Sequence, residues 1–210
     1  MKGTKLFLSL FLVLIFCVSF AFSVSADNSI APNTMTGYLV SSDGCTVPII
    51  GTRVDSSSFQ NLLRNGEKSS TYEYNVLSSQ LGNRTAEGTD GALAAKAYLT
   101  ISWKENSAIP TEYLLTEVSG HWEILDSSVY YTSADLTFGC NGPYPFPPVT
   151  NQVKTYTDIS NYFSYDTGFT RFIAGENSAA VMGANLTVHL ASGNGSRSWD
   201  LFLINNLNIS

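Results

Sequence analysis

Apolar and polar residues alternate with a period of two over much of the chain, most clearly from Ala95 to Trp103. Ala95, Ala97, Leu99, Ile101 and Trp103 fall on one side, and Lys96, Tyr98, Thr100 and Ser102 on the other. Successive side chains of an extended strand point to opposite faces, so the run predicts a strand that buries the first set and half-exposes the second. Leu186, Val188 and Leu190 repeat the pattern, as do Trp199, Leu201 and Leu203. Between them Ser192-Gly193-Asn194-Gly195-Ser196 supplies small, turn-forming residues, which predicts a C-terminal hairpin.

Two more hairpins are signalled by glycines. Residues 113–118 and 122–125 flank Ser119-Gly120, and residues 163–165 and 169–173 flank Asp166-Thr167-Gly168, where Gly168 suits a left-handed position. Further strands are expected near 37–40, 47–54, 72–77, 129–132, 136–138 and 153–157. One short helix is expected over 56–65: Asp55 or Ser56 caps it, Phe59, Leu62 and Leu63 share a face, and Gly66 stops it. About twelve strands with so little helix predict an all-β protein, an antiparallel β-sandwich.

The beginning of the chain has a different pattern. Lys2 and Lys5 precede an almost wholly apolar run from Leu6 to Phe22, and Val24-Ser25-Ala26 offers small residues for cleavage. Residues 1–26 therefore read as a secretory signal peptide cut after Ala26. Phe16 is too large to precede a lipidated Cys17, so a free product outside the membrane is expected. Residues 27–210 are expected to form one domain; the alternative boundary is the proline-rich stretch 142–148.

Charge narrows the partners. The formal net charge is −6, and the signal removes two lysines with it. Without clustered Lys or Arg, nucleic acid and anionic membrane surfaces are poor partners. Cys45 and Cys140 remain after cleavage, and in an oxidising compartment they predict one disulfide; two free buried thiols are the alternative.

Candidate chemistry is sparse. His121 and His189 are the only histidines, and both are expected to be exposed to solvent. There is no His-Glu-x-x-His, Gly-x-Ser-x-Gly or Cys-x-x-Cys, and no spaced series of calcium ligands, so no cofactor or metal is expected. Glu112, Glu117, Glu123 and Asp126 cluster around Trp122. With a turn at Ser119-Gly120, Glu117 would lie opposite Trp122, and with Glu123 or Glu112 it would make a carboxylate pair of the kind glycosidases use. Otherwise these acids decorate the wet side of a hairpin.

Among the aromatics, Trp103 and Trp199 alternate with core positions, whereas Trp122, Tyr98, Tyr130, Tyr144 and Phe146 are freer to make contacts. Tyr144 and Phe146 stand between prolines that pre-order their loop, which lowers the entropy cost of binding. These features predict a secreted, non-enzymatic protein that binds glycan or protein at or outside the cell surface. The alternatives are an extracellular polysaccharide hydrolase using Glu117, or a pore-forming or antagonistic toxin whose amphipathic hairpins enter membranes.

Overall fold

The computed structural model describes residues 31–54, 66–82, 91–143, 149–175, 180–207 and 209. The signal segment, the helix expected over 56–65, and Tyr144 and Phe146 lie outside the described residues. Among those described the protein is all-β, with eleven strands and no helix. The strands are β1 (Thr34–Ser41), β2 (Thr46–Arg53), β3 (Glu67–Leu77), β4 (Leu93–Glu105), β5 (Glu112–Ile124), β6 (Val129–Pro143), β7 (Val149–Tyr156), β8 (Tyr162–Asp166), β9 (Ile173–Ala174), β10 (Val181–Ser192) and β11 (Ser198–Leu207).

All pairings are antiparallel and belong to one sheet, in the order β7-β6-β10-β11-β1-β2-β3-β4-β5-β8, with β9 also pairing β5. The sheet curls so that β3, β4 and β5 face β10 and β11 across a shared core, and β5 meets β6. Alternation places the core residues as expected on β4, where Ala97, Leu99 and Ile101 are fully buried, and on β10 and β11, where Leu186, Val188 and Leu203 are. Each large side chain removed from water in this way contributes about 1.5–3 kcal/mol of gross stabilisation. Asn205 is the polar exception at the centre. From β11 its amide nitrogen donates to the Ser70 carbonyl at 2.9 Å and the Leu99 carbonyl at 2.7 Å, and its oxygen accepts from the Ser70 hydroxyl at 3.0 Å. It therefore ties β11 to β3 and β4 through the core.

The C-terminal hairpin forms as expected. Gly195 takes a positive φ of 67°, and the Asn194 side-chain oxygen accepts from the Ser196 amide and hydroxyl. The hairpin expected at Ser119-Gly120 does not form: β5 runs unbroken through it, paired with β4 from Ala95–Ile124 to Glu105–Tyr113. Gly120 is there for a close approach rather than a turn. A Cβ at this position would lie 2.4 Å from the Tyr98 carbonyl oxygen and 2.8 Å from the Phe163 ring. The second expected hairpin also resolves differently. Gly168 does adopt a φ of 61°, but β8 and β9 both pair with β5, one after the other, as an interrupted edge strand.

The disulfide is a further correction, because Cys45 and Cys140 are both free. Cys45 is exposed in the β1–β2 turn, level with Ser41, Trp199 and Leu190 across the ladders. Cys140 is buried and pairs in register with Met182, eight positions from Leu190 on β10. At about 3.3 Å per residue the two thiols sit near opposite ends of the sheet, far beyond the roughly 7 Å between Cα atoms that a disulfide spans. Burial pushes the Cys140 thiol up to about 11, so it behaves as a small core residue.

The consecutive strands β7 and β8 occupy opposite ends of the sheet order and do not pair with each other. Side chains bridge the gap between them. Tyr156 on β7 stacks on Tyr165 of β8, with ring centroids 4.2 Å apart. The Gln152 amide donates to the Arg171 carbonyl and accepts from the Thr170 and Arg171 backbone amides.

Candidate binding surface

Two surfaces gather the side chains that the sequence singled out, and both involve β5. The first is an open hollow of about 520 Å³ beside the β5–β6 turn, lined by Trp122, Glu123, Ile124, Leu125, Val129, Tyr130, Tyr131 and Asn161. The turn is held by Asp126, whose carboxylate accepts from the Ser128 amide at 2.9 Å and its hydroxyl at 2.7 Å. That bracing sets Leu125 on one side and Tyr130 on the other. Tyr130 and Tyr131 are 46% and 42% exposed, and Leu125 is half-exposed.

Trp122 is not the free platform its sequence neighbours suggested. Its side chain is buried, packed edge-on against Tyr131 at 5.7 Å and tilted against Phe163 at 6.4 Å. It reaches the hollow as part of its wall, beneath the exposed tyrosines. Its enclosed Nε1 has no acceptor among the described residues; Trp103 shares that property, but only Trp122 borders the hollow. Trp103 and Trp199 are buried in the core, as expected.

The second surface is the outer face of β4, β5 and β8. Tyr98, His121 and Tyr162 are directly opposite one another in register. Their rings stack in a row, Tyr98 on His121 at 4.5 Å with a 20° tilt and His121 on Tyr162 at 5.1 Å with a 4° tilt. Burial between the tyrosines holds the His121 ring below the usual histidine range, and the nearby Glu123 opposes this more weakly. At the inner end, Glu73 is held below the usual carboxylate range, first by the Asn75 amide, which donates to it at 2.9 Å. Lys96 completes that end with a 3.5 Å contact to Glu73.

Glu117 lies on the same outer face, opposite Asp166, and accepts the Ser164 hydroxyl at 2.8 Å. Glu123 is exposed and opposite Lys96. On one continuous strand Glu117 and Glu123 are six positions and therefore about 20 Å apart, well beyond the roughly 5–9.5 Å between paired glycosidase carboxylates. Glu112 is buried and accepts from the Asn106 amide at 2.7 Å. The acids that clustered in sequence are thus spread along a strand.

His189 was expected to be simply exposed, and it is instead held between two carboxylates. Its Nδ1 lies 2.7 Å from Asp200 Oδ1 and its Nε2 lies 3.5 Å from Asp135 Oδ2. Among the described residues no three His, Cys, Asp or Glu side chains converge to hold a metal ion. The Tyr98–His121–Tyr162 row had one signal in the sequence, the polar-face position of Tyr98. The strand register that brings His121 and Tyr162 alongside it was not legible there. Comparison with protein-family models, with curated proteins and with solved structures finds no match to this chain.

Proposed function

We propose that this is an exported, non-enzymatic β-sandwich protein that binds a glycan or protein surface outside the cell. The two facing parts of the curled sheet serve as its layers, and residues 1–26 as the cleaved signal. The observation that carries the reading is the hollow beside the β5–β6 turn, where two half-exposed tyrosines and Leu125 surround a wall of Trp122 with Glu123 and Asn161 close by. Flat rings offer contact area at low entropic cost, and the adjacent polar groups orient a ligand rich in hydroxyls or amides. The proline-bounded pair Tyr144 and Phe146 is proposed as an additional contact.

The test is binding of the secreted protein to a glycan array and to intact cell surfaces. Tyr130→Ala with Tyr131→Ala is expected to remove the part of the signal that comes from the hollow, and Tyr144→Ala with Phe146→Ala to reduce it. Unchanged binding by the first pair removes the hollow from the reading, and absence of binding to every array member and surface overturns the reading itself. N-terminal sequencing of the secreted product should begin at Asp27.

A further inference from the structure

The row Tyr98–His121–Tyr162 ends on an open ring. Tyr98 has Glu73 and Lys96 beyond it and His121 is enclosed on both faces, but Tyr162 sits on the last strand of the sheet order and is 61% exposed. One face of its ring rests on the imidazole at a tilt of only 4°. No ring is stacked on its other face among the described residues, so the row stops where a further flat, weakly polar group would continue it. The ring is also positioned in advance. Three near-parallel rings on three hydrogen-bonded strands restrain one another, so little rotamer freedom remains to be lost on binding.

Oxygen acceptors continue along the same face of β8. Ser164 is the next outward position and its hydroxyl donates to Glu117 Oε1 at 2.8 Å, which leaves the serine oxygen able to accept. Asp166 follows, opposite Glu117 in register. From Tyr162 to Asp166 the strip runs about 13 Å, long enough for several linked sugar rings. A stacking platform followed by carboxylates suits pyranose rings, whose C–H faces pack on aromatics and whose adjacent hydroxyls donate to carboxylate oxygens. Glu117 and Asp166, opposite each other, make the strip acidic, in a chain of net charge −6, so sulfated or uronate glycans are repelled.

We propose that the outer face of β5 and β8 is a second binding site, for a neutral oligosaccharide, with Tyr162 as the stacking platform and Glu117 as the acceptor of sugar hydroxyls. The site uses neither Tyr130 nor Tyr131, so it stands or falls separately from the hollow.

The experiment is titration calorimetry of the mature protein with cello-, manno-, xylo- and chito-oligosaccharides, with heparin as the anionic control. At least one neutral oligosaccharide should bind and heparin should not. Tyr162→Ala should weaken binding by about tenfold or more, which corresponds to about 1.4 kcal/mol. Tyr162→Phe should retain it, Glu117→Gln should weaken it about threefold to tenfold, and Tyr130→Ala with Tyr131→Ala should leave it unchanged. Tyr162 and Glu117 are on the surface, so circular dichroism of these variants should match the parent. Absence of binding by all four neutral series overturns the proposal, as does preference for heparin or indifference to Tyr162→Ala. Binding lost with Tyr130 and Tyr131 but kept without Tyr162 would leave the hollow as the site and remove this one.

Discussion

Gly120 carries information about two elements at once, because the space its absent side chain leaves is filled by the Phe163 ring of β8. Gly120→Ala would press a methyl against that ring and against the rigid Tyr98 carbonyl, and overpacking of this kind costs about 1–3 kcal/mol. The expected outcome is a lower urea midpoint with an unchanged denaturant slope; an unshifted midpoint would contradict the close approach. From sequence, the same glycine read as a turn, since a lone Gly in an alternating run signals either a hairpin or a close contact and only the neighbour decides. His121, one residue on, gives a second prediction. Its folded-state pKa lies below the unfolded value of about 6.5, so it stabilises the fold above that pH. As pH falls through about 6.5 the unfolded chain takes up the proton first, and this stability is lost toward the folded value. His121→Phe keeps the stack without the titration. Its urea midpoint should fall less than the parent's between about pH 7.5 and about pH 5, and equal slopes would rule out this role.

At the level of elements, legibility followed packing. The strands with one fully buried face, β4, β10 and β11, are plain in the sequence, because burial enforces the alternation that marks them. β6 looks in sequence like two short strands, since exposed Tyr130 and Tyr131 and a register shift near His189 interrupt its pattern. In sequence β8 and β9 resemble the arms of one hairpin, because their true partner, β5, lies some fifty residues earlier and no local signal points to it. Asn205 was equally hidden: it occupies an inward position of β11 where alternation calls for an apolar residue, and its partners come from β3 and β4. Asn205→Ala would strand a buried hydroxyl and two carbonyls and leave a small void, an expected loss of about 2–4 kcal/mol in equilibrium unfolding. Combined with Ser70→Ala the cost should be less than additive, because the two side chains share one bond; strict additivity would show that the core network is not coupled.

For the whole molecule, the governing feature is the side-chain closure between β7 and β8. Backbone groups along that gap are not tied into a ladder with each other, while β10 and β11 are paired on both sides. Native-state hydrogen exchange should therefore be faster in β7 and β8 than in β10 and β11, and Gln152→Ala should speed exchange at Thr170 and Arg171 further. Uniform protection across all four strands would mean that the gap is as firmly held as a ladder. The same organisation accounts for the free cysteines: two thiols in an oxidising compartment would suggest a bridge, but the register places them near opposite ends of the sheet.

The strand order also bears on how the protein comes to be folded. β11 lies in the middle of the sheet, between β10 and β1, and joins the β1–β5 meander to the β6, β7 and β10 group. A growing chain thus lacks this strand until residues 198–207 are present, and without them no backbone ladder joins the two groups. Long-range pairing of this kind makes folding slow and all-or-none. A chain whose ladder closes only when it is nearly complete stays extended for most of its synthesis, which is the state that the export proposed above would require.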